Sequence, residues 1–229
     1  MVRTVILLVV SVIYMLFEGA VFLPLGFLLK KPAWVYWAGL RVAKLATWLS
    51  GARITVEGRE HLTPGRPCVY VCNHASNLDP PAIASVLPRV VIMVKKEAFR
   101  IPLAGTAFRM VGFILVDRGT ERAATSVSLG TERLKQGYSM LAFPEGTRGN
   151  GVEMLPFRHG VFLMAIRANA LIVPITLIGL REMMPRGSFA TIPGPVKFVV
   201  HPPISTDGLA ESDRGALADR TRAVIASAL

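Results

Sequence analysis

The chain has 229 residues, long enough for one domain with a full core. Its formal charge of +11 points to an anionic partner. Hydrophobic residues at 52% and a mean hydropathy of +0.48 argue against an ordinary soluble domain or a nucleic-acid binder, and an acidic membrane surface accounts for both features.

From Val5 to Leu29 the sequence is almost wholly apolar, interrupted by Ser11 and Glu18, with Pro24 and Gly26 late in the run. A spanning helix needs about 20 apolar residues, so length permits one. Glu18 is costly at mid-bilayer, roughly 2.5–3.5 kcal/mol on insertion scales. No small-residue cleavage site follows, so this segment is expected to be retained rather than removed as a signal peptide. Lys30-Lys31 and Pro32 lead into an amphipathic stretch in which Trp34, Trp37, Arg41, Lys44 and Trp48 recur at steps of three or four. Aromatic rings mixed with cations suit the headgroup layer. Residues 1–50 therefore read as a two-helix membrane anchor. Either the first helix crosses the bilayer, or the pair dips into one leaflet, which Glu18 and Pro24 favour. The alternative is a pair of core helices in a soluble protein, which the tryptophan–cation mix opposes.

Residues 51–229 read as an α/β domain. Short strands are expected at Ile54–Val56, Pro67–Cys72, Val90–Val94, Gly112–Arg118, Ser139–Phe143, Leu171–Leu177 and Val196–Val200. Helices are expected at 82–87, Leu103–Met110, Ala123–Lys135, Val161–Ala168 and Leu217–Ala228. Strands alternating with helices imply a central mixed sheet flanked by helices. Cys68 and Cys72, the only cysteines, would share one face of a strand, too far apart to bond. They are expected to be reduced core residues, which fits a cytosolic catalytic portion.

Two stretches carry chemistry. In Cys72-Asn73-His74-Ala75-Ser76-Asn77-Leu78-Asp79-Pro80-Pro81, a continuous helix would turn His74 and Asp79 roughly 140° apart. A strand–turn–helix brings them together instead, with His74 at the strand end and Asp79 just before a helix opened by proline. The carboxylate would fix the imidazole tautomer and leave the other nitrogen as a general base. The competing reading is an Asp N-cap beside a surface histidine. In Phe143-Pro144-Glu145-Gly146-Thr147-Arg148, Gly146 permits close approach to the main chain and Arg148 offers a fork suited to phosphate. Glu145 can bond a hydroxyl or hold Arg148. His74, Lys95, Arg118 and Glu145-Arg148 each follow an apolar strand, where open α/β sheets bind ligands.

Taken together, these stretches resemble the 1-acyl-glycerol-3-phosphate acyltransferase family of glycerolipid acyltransferases. The four blocks of that family match, in order, Asn73–Asp79, Gly112–Arg118, Phe143–Arg148 and Val173-Pro174. The departures are Gly149 for a frequent serine, Leu115 for a frequent aromatic and Arg158 for a frequent lysine; none removes a reacting group. The resemblance implies acyl transfer from acyl-CoA or acyl-carrier protein, the co-substrate, to the sn-2 hydroxyl of lysophosphatidate, giving phosphatidate. It implies His74 and Asp79 as the catalytic pair. Arg118, Arg148 and Lys95 would hold the acceptor phosphate, and Glu145 its glycerol, with Asn73, Gly146 and Thr147 completing the site. Backbone N–H groups after His74 are candidate oxyanion donors. Neither a metal nor a cofactor is expected. The partners would be membrane lipids, not nucleic acid, and the location a cell membrane with the catalytic domain on the cytoplasmic side. The rival readings are the same chemistry on another lysophospholipid or a lyso-aminolipid, and a non-catalytic lipid-binding protein on the membrane surface. For Arg118 an ion pair with Asp117 or Glu121 competes with a substrate role.

Overall fold

The computed structural model describes residues 2–63, 65–116, 122–149, 154–185, 187–188 and 190–229. Its N-terminal helices are α1 (Val2–Leu28) and α2 (Pro32–Ser50). They form an antiparallel hairpin, since Glu18 meets Arg41 and Gly26 lies against Val35. The charge that makes α1 costly in lipid is thus neutralised locally: Arg41 Nε and Nη2 donate to the two Glu18 oxygens at 2.9 and 2.7 Å. Pro24 lies within α1 without ending it. Most of the outer face of α1 is apolar and exposed, with Val5, Ile13, Phe17 and Phe27 at 58–75%. Val35, Tyr36 and Ala38 of α2 are buried instead, and the Tyr36 hydroxyl accepts the Val90 N–H.

The sheet strands are β1 (Ala52–Glu57), β2 (Cys68–Cys72), β3 (Val90–Lys95), β4 (Ile114–Val116), β5 (Ser139–Ala142), β6 (Leu171–Ile178) and β7 (Gly194–Val200). Among the described residues their order is β1-β7-β6-β2-β5-β3-β4. Only β6 and β7 run antiparallel, so the sheet is mixed as expected. The central strand β2 is buried at every position, as a parallel strand covered on both faces must be. Edge strand β1 alternates between half-buried and exposed.

Each face has its own core. Cys68, Tyr70 and Cys72 of β2 pack with Ala82 and Ile83 of α3 (Asp79–Ala84). Val69 and Val71 face Phe162 and Met164 of α6 (Gly160–Ala168) and Ile225 of α8 (Arg214–Ala226). The two cysteines are free and buried. The remaining helices are α4 (Ala104–Val111), α5 (Arg122–Lys135) and the four-residue α7 (Leu180–Met183). Sequence periodicity does not reveal α7 or the 3-10 turns at Arg59–Leu62 and Ala98–Arg100, which are too short to show a period.

A tight seam joins hairpin and domain. Leu103 has φ +62°, and the Ala104 N–H bonds Pro102 O across it at 2.7 Å. This three-residue turn is a strained one. It places Leu103 so close to Gly19 of α1 that a Cβ there would meet Leu103 Cδ1 at 3.2 Å.

Candidate active site

Parallel pairing of β2 with β5 sets the loops that follow them side by side. Asp79 opens α3 rather than preceding it, with proline in the first turn and Leu78 as N-cap. Across that short turn His74 Nδ1 donates to Asp79 Oδ2 at 2.8 Å. The same oxygen accepts the Ala75 and Ser76 N–H groups at 2.7 and 2.8 Å. Asp79 is 1% exposed. The carboxylate therefore orients the ring as the spacing implies, and the backbone holds the carboxylate. The same bonds narrow one expectation: the Ala75 and Ser76 N–H groups are committed to Asp79, which removes these two from the candidate oxyanion donors of the turn.

The second loop supports the first. Glu145 Oε1 accepts the His74 N–H at 2.7 Å and Oε2 the Leu155 N–H at 2.9 Å. The Gly149 N–H donates to His74 O at 2.9 Å. Glu145 thus fixes the main chain at His74, where the sequence reading gave it a glycerol contact. Burial pushes its carboxyl above the usual value, and the two N–H bonds pull it back. Asn73, expected at the substrate, lines the smaller of the two cavities that His74 borders and bonds the neighbouring strand. Its side chain donates to Leu177 O at 3.0 Å and accepts Leu177 N–H at 2.8 Å, locking the end of β2 to β6. Phe143 lies against the His74 ring, centroids 4.6 Å apart.

His74 borders two cavities. The larger, about 570 Å³, is lined by the ends of β3, β4 and β5: His74, Lys95, Val116, Phe143, Gly146 and Arg148 all face it. This is the common mouth expected from the strand ends. Gly146 adopts φ +73°, a conformation glycine enters without a Cβ penalty. Deeper walls are apolar, with Ile92, Val127, Val161 and Met164. Lys95 is exposed and Arg148 half-buried. Thr147 is half-buried and lines neither cavity. Arg118, with Asp117 and Glu121, lies outside the described residues. Arg158 lines this cleft too. The sequence reading noted it as a departure but gave it no role; its place just after the Glu145 loop was the available signal. The smaller cavity, about 100 Å³, includes Asp79, Glu145 and Arg181.

An imidazole oriented by a carboxylate, on the wall of a cleft with an apolar interior and a cationic rim, can deprotonate an alcohol of an amphiphilic anion. Comparisons with known proteins give the family. The acyltransferase family model matches residues 53–178, more than half of the chain. The 1-acyl-sn-glycerol-3-phosphate acyltransferase alpha of Mus musculus is 37% identical over 183 residues, covering 77% of this chain and 64% of that protein. The human protein of that name is 37% identical over 180 residues, covering 76% and 63%. The 1-acyl-sn-glycerol-3-phosphate acyltransferase of Limnanthes alba is 32% identical over 169 residues, covering 72% and 59%. The match thus spans just under two thirds of the length of these relatives. Among solved structures, the 1-acyl-sn-glycerophosphate acyltransferase of Thermotoga maritima shares the fold, with a TM-score of 0.75 at 23% identity over 99% of this chain and 97% of that one. With four motif blocks in order and His74 and Asp79 in contact, the chain belongs to the acyltransferase family.

Proposed function

We propose that the protein transfers an acyl chain from a thioester, acyl-CoA or acyl-carrier protein, to the sn-2 hydroxyl of lysophosphatidate, giving phosphatidate. The observation that carries this reading is the 2.8 Å contact of His74 with Asp79 on the wall of the cleft that Lys95 and Arg148 also line. With Nδ1–H bound to Asp79, Nε2 is free to take the hydroxyl proton. The oxygen attacks the thioester carbonyl, the C–S bond breaks, and the imidazolium returns its proton to the leaving thiolate. Lys95 and Arg148, with Arg118, grip the acceptor phosphate, and the apolar interior takes an acyl chain. Asn73, Glu145 and Asp79 act by positioning. The names of the relatives support this acceptor.

The exposed apolar face of the hairpin supports a location at a membrane, and we propose that the site lies on its cytoplasmic side. We favour a hairpin within one leaflet. Thr4 Oγ1 accepts the Thr191 N–H, while Gly26 approaches Met110. Both ends of α1 therefore touch the domain, which a crossing helix could not do. Purified protein offered a panel of lysolipids and acyl-CoA or acyl-carrier protein tests the reading, with His74→Ala as control. Phosphatidate formation lost in the variant is expected. Turnover of another lysophospholipid but not lysophosphatidate would move the acceptor assignment, and lipid binding without any turnover would replace catalysis with binding.

A further inference from the structure

Many arginines of this fold have partners: Arg41, Arg66 and Arg167 pair with carboxylates, and Arg109 and Arg222 donate to carbonyls. Arg158 differs. Its main chain is pinned, the N–H donating to Pro144 O at 2.9 Å, between buried Phe157 and the start of α6. Its side chain is exposed and borders the His74 cleft. Among the described residues it has neither a hydrogen bond from its guanidinium nor an ion pair. The cleft itself holds Lys95, Arg148 and Arg158, and no Asp or Glu among the described residues lines it. The smaller cavity differs again, since Asp79, Glu145 and Glu182 accompany Arg181 there. A guanidinium with no counter-ion of its own leaves its charge available to an anion entering the cleft. A planar fork on a fixed backbone suits phosphate, whose oxygens it meets in pairs.

We infer that Arg158 is a phosphate-binding residue at the rim of the His74 cleft, gripping a phosphate of one of the two substrates. The acceptor's phosphomonoester and the phosphates of the donor's carrier share this chemistry. The inference rests on the proposed acyl transfer for its kinetic test and has a binding test independent of it.

The kinetic test varies each substrate in turn with Arg158→Gln, Arg158→Lys and, as a control for net charge, Arg220→Gln on the exposed side of α8. The KM of one substrate should rise roughly tenfold or more in Arg158→Gln, the scale of a lost charge-assisted hydrogen bond, with kcat within about threefold. Arg158→Lys should recover part of it and Arg220→Gln should show no change. A rise for lysophosphatidate with every donor assigns the acceptor phosphate. A rise for acyl-CoA that vanishes with acyl-N-acetylcysteamine, a thioester without phosphate, assigns the donor. Unchanged KM values for both substrates, or a loss in kcat alone, overturn the inference. Should the native protein not turn over lysophosphatidate, the function proposal fails by itself. Equilibrium binding of hexadecyl phosphate and of CoA to native protein and Arg158→Gln then decides the matter. Roughly tenfold weaker binding of either supports the phosphate site, and equal binding of both overturns it.

Discussion

Two carboxylates are almost equally buried in this molecule, Glu18 at 4% and Asp79 at 1% exposure, each beside a basic side chain. They are held in different ways. Among the described residues, Glu18 in the hairpin has the Arg41 guanidinium on both oxygens. Asp79 in the strand-end turn takes two main-chain N–H groups in addition to His74. The hairpin carboxylate thus depends on side chains, Arg41 first and then Tyr14, and deleting Arg41 removes its counter-ion. The carboxylate of the strand-end turn does not, because the backbone would still satisfy Asp79 without the His74 imidazole. A site built this way gives up its reacting group without losing its shape.

The largest expected effect follows directly. His74→Ala should lower turnover by about 10²–10⁴-fold while thermal unfolding and far-ultraviolet circular dichroism stay close to native. A variant that unfolds would erase the distinction between the two pairs. Next in size, Arg41→Leu should cost about 1–3 kcal/mol in denaturant titration, since it removes the counter-ion of a buried carboxylate and leaves it the Tyr14 hydroxyl. Glu18→Leu combined with Arg41→Leu should recover most of that loss, because a well-packed apolar pair commonly replaces a buried ion pair without penalty. If the double variant is as unstable as the single one, the pair has a role beyond mutual neutralisation.

Asn73→Ala comes third. It strands both main-chain groups of Leu177 and should cost about 2 kcal/mol. Turnover should fall with stability, while the lysophosphatidate KM of the folded fraction stays unchanged. A selective rise in that KM would restore the substrate contact that the motif suggested. The smallest effect concerns His201, which has burial but no counter-ion. Its ring meets Thr176 Oγ1 at 2.9 Å, and burial, with His61 nearby, holds it below the ordinary imidazole value. The unfolded chain therefore takes up a proton near pH 6.5 that the folded chain resists. Stability present above about pH 6.5 is lost as the pH falls. His201→Gln, keeping a donor toward Thr176, should flatten that acid slope in unfolding midpoints measured from pH 7.5 to 5.5.

The sheet was legible because its central strands are buried on both faces, so Cys68–Cys72 and Leu171–Ile178 read as apolar runs bounded by turns. The His74–Asp79 contact was legible because a five-residue step admits one geometry in which the two meet. What escaped depends on alignments between distant segments. Asn73 meets Leu177 only because Cys72 pairs with Ile175, and no local pattern encodes that register. The Glu18–Arg41 bond needs the hairpin to be folded, although the two lie almost equidistant from the Lys30 turn, a symmetry that could have suggested the pair. The bonds from Glu145 to the main chain at His74 and Leu155 escaped for a similar reason: a carboxylate in a Pro-Glu-Gly turn carries no local sign of the distant N–H groups it will accept.

The seam at Gly19 and Leu103 has a kinetic corollary. The 3-10 turn Ala98–Arg100 lies just ahead of it, and Ala98 is part of the cleft wall, so the seam with the hairpin lies near the mouth of the site. On the proposed function, a lysolipid would reach the mouth by sliding within its own leaflet, without passing through water. The concentration that governs turnover is accordingly two-dimensional, the mole fraction of lysolipid among its neighbours. Diluting vesicles with inert phospholipid should then slow the reaction, whereas adding buffer to the same vesicles at a fixed concentration of acyl donor should leave the rate per enzyme unchanged.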